Sequence, residues 1–516
     1  YRCETLLATD LVRPESGDYL FAHALIQEGV YASLLNTRKR ELHQRAAAWY
    51  QTREPALHAE HLDRAQRPAE AAVAYLAAAQ AEARRYRFDE ALRLARRGAA
   101  LPEGAPLASA FALLEGDVLR ELARTGESIQ AFEQALDGAA DDAGRCRAWL
   151  GIAAGLRVTG DIPHALQALD SAQPIAESLH DDATLSRIHG LRGNLFFAAG
   201  RVDECGREHE LALAHAQRAG DVEAEALARS GLGDHGYAGG RMLTALGHFR
   251  RCVELCRQAG LLRAEIVNTC MVGHCLAWSG DGDAGLAAVR DAVALSARLG
   301  VPQTEVMTLE SLAMVLTFRG DFDEAEPWIE RAIQAARQAS ARRFLSIDLM
   351  LKARCRQARG HVAEARELLA EALELARETG IGFIGASLYA VTAAVTDDPA
   401  ERRRWIEQGE ALLASDCLAH ARVMFYRDAI DVVLAEGRDD EALRYADEME
   451  ATAAETLAVA RIAAARARAL VALRRDGTMP RIVAELRAIA GQAVRAGIGA
   501  QVPGIQAALA AAGVRA

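Results

Sequence analysis

GDFDEAEPWIERAIQAARQASARRFLSIDLMLKARCRQARG (Gly320–Gly360) opens and closes on a glycine and is filled with alanine, leucine, glutamate and arginine. Those residues favour helix over strand. The forty-residue spacing of its two glycines extends outward along the chain as Gly160, Gly200, Gly240, Gly280, Gly320 and Gly360. Glycine makes up only 41 of 516 residues, so a comb of six marks a true repeat. A fixed period in this range is the sequence mark of a solenoid, in which each unit buries its apolar face on its neighbours.

Laid out in register, the units share a framework. Seven residues before each comb glycine stand Ala153, Gly193, Gly233, Gly273, Ala313 and Ala353. Five after it stand Ala165, Cys205, Ala245, Gly285, Ala325 and Ala365, and twelve after it Ala172, Ala212, Cys252, Ala292, Ala332 and Ala372. Small residues at these offsets let two antiparallel helices approach closely. Nine after the glycine a bulkier residue recurs (Leu169, Phe249, Val289, Ile329, Leu369), with His209 as the exception. In turns such as GDFDEA and GRVDEC the glycine ends one helix in a left-handed cap, and acidic residues begin the next near its positive end. A second glycine (Gly220, Gly260, Gly300, Gly380) closes the second helix.

The small–glycine–small spacing resembles the tetratricopeptide repeat, with 40 residues in place of the usual 34. The HEAT repeat shares the period but fits that spacing less well. The expected fold is all-α: a right-handed solenoid of antiparallel helix pairs. Gly437 and Gly477 continue the comb, TDDPAERRRW (396–405) replaces one turn, and Gly126 and YRFDEALRLA (86–95) mark earlier, irregular units. The expected divisions are residues 1–50, the end of a preceding domain; 51–143, irregular repeats; 144–385, regular repeats; and 386–516, degenerate repeats.

Composition narrows the function. The net charge of −11 argues against direct nucleic-acid binding, which needs clustered positive charge. Lys39 and Lys352 are the only lysines, and the arginines are spread among glutamates. Nine cysteines, an odd number at irregular spacing, suit a reducing cytoplasm. No run of eighteen apolar residues occurs, so no membrane span is expected. The chain starts at Tyr1, which leads us to expect a piece of a longer polypeptide.

The first fifty residues do not repeat. LLATDLVRPESGDYLFAH reads as a β-hairpin around a Pro/Ser/Gly turn, followed by the helix ALIQEGVYASLL and a second helix, NTRKRELHQRAAAWY, with an asparagine cap. A hairpin beside helices suggests the end of a winged-helix domain. Phe21, His23, Leu25, Ile26, Glu28, Tyr31, Leu34, Leu35, Arg38, Arg40, Leu42 and His43 form a signature. It resembles the junction after the nucleotide-binding region of bacterial STAND-type signalling ATPases. Those include AAA-linked class III adenylate/guanylate cyclases and LuxR/MalT-like regulators. The resemblance covers about the first 100 residues and implies a C-terminal sensor and scaffold arm behind an ATPase switch. ATP and Mg²⁺ would belong to an upstream domain, because no phosphate-binding loop occurs here. No cofactor, catalytic residue or metal is expected in this stretch. An enzyme remains possible only upstream, as an ATPase, cyclase or kinase domain.

Candidate sites divide into packing and binding. Cys252, Cys256, Cys270, His274 and Cys275 crowd into one helix pair, but two of them stand where other repeats carry small residues, so they read as packing rather than zinc ligands. His58 and His61 lack the spacing of a metal-binding helix and read as packing or capping, and His23 as structural. The inner face of the first helix of each unit is the better binding surface. Six, three and two residues before the comb glycines it presents Asn194, Asp234, His274, Met314 and Arg354; Arg157, Phe197, Tyr237 and Gln357; and Trp278 and Phe318. These vary while the framework does not, which suits binding, while Phe197, Tyr237, Trp278 and Phe318 read equally well as packing against the next repeat. The expected occupant of this concave face is a protein, a peptide or a small-molecule inducer, with the upstream ATPase domain as an intramolecular partner. If Trp278 and Arg354 only bind, replacing either by alanine should leave the melting temperature nearly unchanged.

Overall fold

A computed structural model describes residues 4–9, 11–15, 18–382, 384–414, 418–452, 455 and 457–514. The chain divides into two compact units, Tyr1–His180 and Asp181–Ala516. Both are built of antiparallel helix pairs, and the described residues contain only one small sheet. No described helix is long and apolar enough to cross a membrane.

In the first unit, strands Val12–Glu15 and Asp18–Phe21 pair antiparallel, with Val12 opposite Phe21. Ser16 and Gly17 of the expected hairpin turn lie outside the described residues. Helices Ala24–Ser33 and Asn36–Tyr50 follow. The expected asparagine cap is corrected: Leu35 takes the cap position, Asn36 is already helical, and no side chain caps this end. The signature residues Tyr31 and His43 join through a 2.8 Å contact between the Tyr31 hydroxyl and His43 Nε2. His43 Nδ1 lies 2.9 Å from His61 Nδ1, and His61 stacks on Tyr50. His58 Nδ1 contacts the Ala47 carbonyl at 2.8 Å. These histidines tie the second helix to the first repeat. Helix Asp142–Thr159 begins properly, with Asp141 accepting from the Gly144 N–H at 2.7 Å.

The second unit holds the regular array. Its first helices are Asp182–Ala198, Val222–Ala238, Leu262–Ser279, Pro302–Arg319 and Arg342–Ala358, each followed by an antiparallel partner. The comb glycines take the left-handed conformation, from φ 73° at Gly240 to φ 92° at Gly280. The N–H after the glycine then reaches back to the helix, as from Asp281 to the Leu276 carbonyl at 2.9 Å. Those carbonyls would otherwise be unpaired. The small–large pairing is equally literal. A Cβ on Gly233 would lie 2.6 Å from the Phe249 Cδ1, and one on Gly193 2.6 Å from the His209 Nε2. His209 therefore fills the phenylalanine's place, 2% exposed, and burial pushes its pKa down to about 4.

The degenerate unit keeps two helices, Gly385–Val395 and Pro399–Leu413, without a glycine turn. There the Arg402 guanidinium donates to the Thr396 carbonyl at 2.7 and 3.0 Å, and Asp398 caps the next helix through the Ala400 N–H at 3.2 Å. Beyond it the array returns on itself. Helix Ala419–Ala435 packs on Val222–Ala238, and Ala458–Asp476 on Leu262–Ser279. The contact runs through the comb: a Cβ on Gly280 would lie 2.7 Å from Ala458, and one on Gly320 3.0 Å from the Ala500 nitrogen. Glu455 completes it by accepting from the Leu243 N–H at 2.8 Å and from the Thr244 hydroxyl.

Candidate functional site

The return of the chain roofs the inner face of the second unit and leaves two neighbouring cavities. The first, about 270 Å³, is walled by the first helices of successive repeats. Phe197, Asp234, Tyr237, His274, Trp278 and Met314 line it at the inner positions expected from the comb. The opposite wall comes from Leu418, His420, Ala421 and Met424. Most of the lining is apolar: Met271, Met307, Met350, Phe344, Ile347 and Ile384 add to the aromatic side chains.

Tyr237 packs against His420 with ring centroids 4.8 Å apart and against His274 at 6.4 Å. Burial pushes His274 and His420 down to about 4, so both rings are neutral near pH 7. His274 is 7% exposed and its Nε2 has no hydrogen-bond partner. Two carboxyls share the space. Burial raises Asp234 to about 7 and Glu310 to about 7. Asp234 makes no hydrogen bond or ion pair among the described residues. A half-buried acid without a donor and an imidazole nitrogen without a partner in one cavity are polar capacity left open, and buried polar groups normally find partners.

The second cavity, about 570 Å³, is lined by Phe318, Arg354 and Gln357 together with Arg427, Asp428 and Gln501. Its polar centre is an ion-pair cluster. Arg354 donates to Asp428 Oδ1 at 3.1 Å, and the Arg427 Nε to the same oxygen at 3.0 Å. Burial works to raise the Asp428 carboxyl, but Arg354 and Arg427 outweigh it and hold it below the usual range. Gln501, only 7% exposed, has neither amide atom paired. The cavities adjoin at Trp278 and Phe318, which meet edge to face at 6.1 Å, and at Ser387, which lines the first and lies 3.4 Å from Arg354.

The eleven inner-face residues thus separate, Met314 lining the first cavity and Gln357 the second. Phe197, Asp234, Tyr237, His274 and Trp278 gather in the first cavity, and Phe318 and Arg354 in the second. Asn194 is exposed and lines neither, and Arg157 is exposed in the first unit. Trp278 is 4% exposed within the core cluster, and Arg354 is ion-paired. Both therefore also take part in the packing of the array, so the structure gives Trp278 the packing role as well as the place in the cavity. Sequence reasoning missed Glu310, Phe344 and Ile347, which continue the same helical stripe toward the helix N-termini; following that stripe back by turns would have found them. It also missed His420 and Met424, which no local pattern places opposite Tyr237.

The cysteine group lies within the helix packing. Cys252, Cys256, Cys270 and Cys275 are buried, with Cys252 and Cys256 sulfurs 3.8 Å apart. Burial pushes the Cys270 and Cys275 thiols up to about 12. Among the described residues no group of three or more His, Cys, Asp or Glu side chains could hold a metal ion.

No curated protein matches in sequence. Among solved structures, the chain is similar to a Rap protein complexed with competence and sporulation factor, at 15% identity and TM-score 0.47 over 67% of this chain and 99% of that one. It is similar to the apo quorum sensor NprR from B. thuringiensis, at 13% identity and TM-score 0.48 over 68% and 98%. A STAND protein with a tetratricopeptide repeat sensor from Pyrococcus horikoshii matches at 14% identity and TM-score 0.46, over 86% of this chain and 60% of that one. A family model described as the MalT-like TPR region matches residues 186–477, more than half of the chain and nearly all of the array that builds both cavities. The chain is a helical-repeat region and belongs to the MalT-like TPR region family.

Proposed function

We propose that this chain is the ligand-sensing arm of a multidomain bacterial signalling ATPase of the cytoplasm, and that a small-molecule inducer occupies the first cavity. The observation that carries this reading is the enclosed lining of Phe197, Asp234, Tyr237, His274 and Trp278 around polar atoms without partners. Concave, mostly apolar pockets with a few convergent polar groups are where small ligands bind. The roof formed by helix Ala419–Ala435 leaves little room there for a protein helix, which favours a small molecule over a protein partner.

A ligand touching both walls would stabilise the contact between the early and late repeats. It biases an attached module only through its different affinity for the closed and loosened states. The signature between Phe21 and His43 supports an ATPase module upstream, of the LuxR/MalT-like or the cyclase-linked kind. The test is a thermal-shift screen of this chain against metabolites and peptides, with amide exchange mapping each hit. Protection should centre on Tyr237, His274 and Met424. Hits that protect only the outer helices would sink the reading.

A further inference from the structure

We propose that the first cavity recognises a hydrophobic cation, a small amine or quaternary ammonium compound whose charged head lies against Asp234 and the rings of Tyr237 and Trp278. This deepens the preceding reading and rests on it.

Three features of the cavity point to a cation. Asp234 faces it with no hydrogen bond or ion pair among the described residues. A carboxylate there gains most from a ligand that brings its own positive charge, because the apolar surroundings strengthen the attraction. Aromatic rings line the same cavity: Phe197, Tyr237, Trp278 and Phe344. Ring faces attract ammonium groups, and several rings beside one carboxylate make a cage for alkylated amines. The remaining wall is rich in methionine, including Met271, Met314 and Met424, whose flexible thioethers fit an irregular apolar body.

Competing ligand classes fit less well. An anion would meet two acids, Asp234 and Glu310, and two uncharged imidazoles. The one permanent cation of the wall, Arg343, is exposed and lies where its charge acts on Glu310. A neutral apolar ligand would leave Asp234 buried without a partner. His274 can complete the match by accepting a hydrogen bond at Nε2 from an N–H of a primary or secondary amine, if its proton sits on Nδ1.

Binding is coupled to a proton. The arriving ammonium pairs with the ionised carboxylate, so a protonated Asp234 releases its proton to solvent. The titratable and charged groups around Asp234 are Tyr237 on its own helix, His274, Glu310 and Arg343 on neighbouring first helices, His420 on the opposite wall, and the thiols of Cys205, Cys252 and Cys275. Burial holds Cys205, Cys275 and Tyr237 protonated, the Cys256 sulfur together with burial holds Cys252 so, and burial keeps His274 and His420 neutral, so between pH 6 and 8 the titrating groups are the two carboxyls.

The experiment is isothermal titration of the full chain with 3-phenylpropylamine, its trimethylammonium analogue and neutral 3-phenylpropanol. The expected result is at least tenfold tighter binding of both cations than of the alcohol at pH 8. Their affinity should fall several-fold at pH 6 while that of the alcohol stays constant. Asp234→Asn should abolish the cation preference and Asp234→Glu should retain it, with circular dichroism showing both variants folded; if Asp234→Asn does not fold, the pH profiles of the three probes decide. Equal binding of alcohol and cations, or an unchanged preference in Asp234→Asn, overturns the cation claim and leaves the cavity a ligand site. Absence of binding by all three probes also overturns it, and the exchange-mapped screen then decides separately whether the cavity binds anything.

Discussion

Glu455 accepts a hydrogen bond from the backbone N–H of Leu243, 2.8 Å away in space and 212 residues away in sequence. It also accepts from the Thr244 N–H at 3.3 Å. Helix Met242–Ala259 has no side-chain cap of its own at Arg241, so Glu455 supplies one from the far end of the array. Its negative charge also faces the positive end of the helix.

Glu455→Ala should therefore cost about 1 kcal/mol, the usual worth of a helix cap. Amide exchange at Leu243 and Thr244 should accelerate. Burial works to raise the Glu455 carboxyl, but the Thr244 and Leu243 bonds outweigh it and lower its pKa. Its contribution is thus full above the ordinary glutamate value and fades as pH falls through the lowered one. Unchanged exchange at both amides would refute the cap.

Gly282 and Gly247 make a paired test of the closure. Gly282→Ala would push a Cβ to 2.9 Å from the Ala496 carbonyl oxygen and the Gly497 nitrogen, both backbone atoms. Gly247, within helix Met242–Ala259, has nothing within 4 Å of its added Cβ. Urea unfolding should show Gly247→Ala gaining up to about 1 kcal/mol from helix propensity. Gly282→Ala should lose about 1–3 kcal/mol from overpacking. Similar effects from the two substitutions would mean that the late repeats do not press on Gly282.

Trp278→Ala should cost about 3–5 kcal/mol, as expected for emptying a buried aromatic site. The ring is 4% exposed and meets Phe318 edge to face. Trp278→Phe keeps most of the volume and is the better variant for binding measurements. A melting temperature unchanged in Trp278→Ala would restore the view that this ring serves the ligand alone.

Asp348 is fully buried, and neither carboxyl oxygen has a hydrogen-bond partner. Burial, reinforced by Glu310, raises its pKa well above the ordinary value. An acid whose folded pKa is raised binds its proton more tightly in the folded state. Stability is then lost as pH rises from the unfolded value toward the folded one, with a slope of up to about 1.4 kcal/mol per pH unit. His209, His274 and His420, lowered to about 4, act in the opposite direction between about 4 and 6.5. Asp348→Asn should remove one falling component, so its advantage over the parent should grow from pH 4 to pH 8. An advantage independent of pH would show that Asp348 does not titrate as its burial implies.

The comb made the framework legible because glycine at positive φ and small residues facing Phe249 or Val289 answer local steric demands, which repeat with the unit. The inner positions were legible for the complementary reason: Asp234, Tyr237, His274 and Trp278 occupy equivalent places yet differ in chemistry. The roof was not. Nothing near His420 or Met424 in sequence indicates that their helix crosses to Val222–Ala238, because that contact is long-range and follows from the summed curvature of the repeats between. Asn36 misled as a cap because Leu35, not Asn36, has the extended backbone of the cap position.

An open solenoid can gain or lose a unit in the course of evolution and simply become longer or shorter. This one cannot do so between Gly282 and Gly497. A Cβ on Gly497 would lie 2.6 Å from the Gly282 Cα, so the two backbones touch with no side chain to absorb an error. One unit more or fewer would carry Gly497 past its place and leave Glu455 without its helix end. The clasp makes the array a counting device: the number of repeats in that span is a fixed property of the fold, while duplication outside it is free to vary.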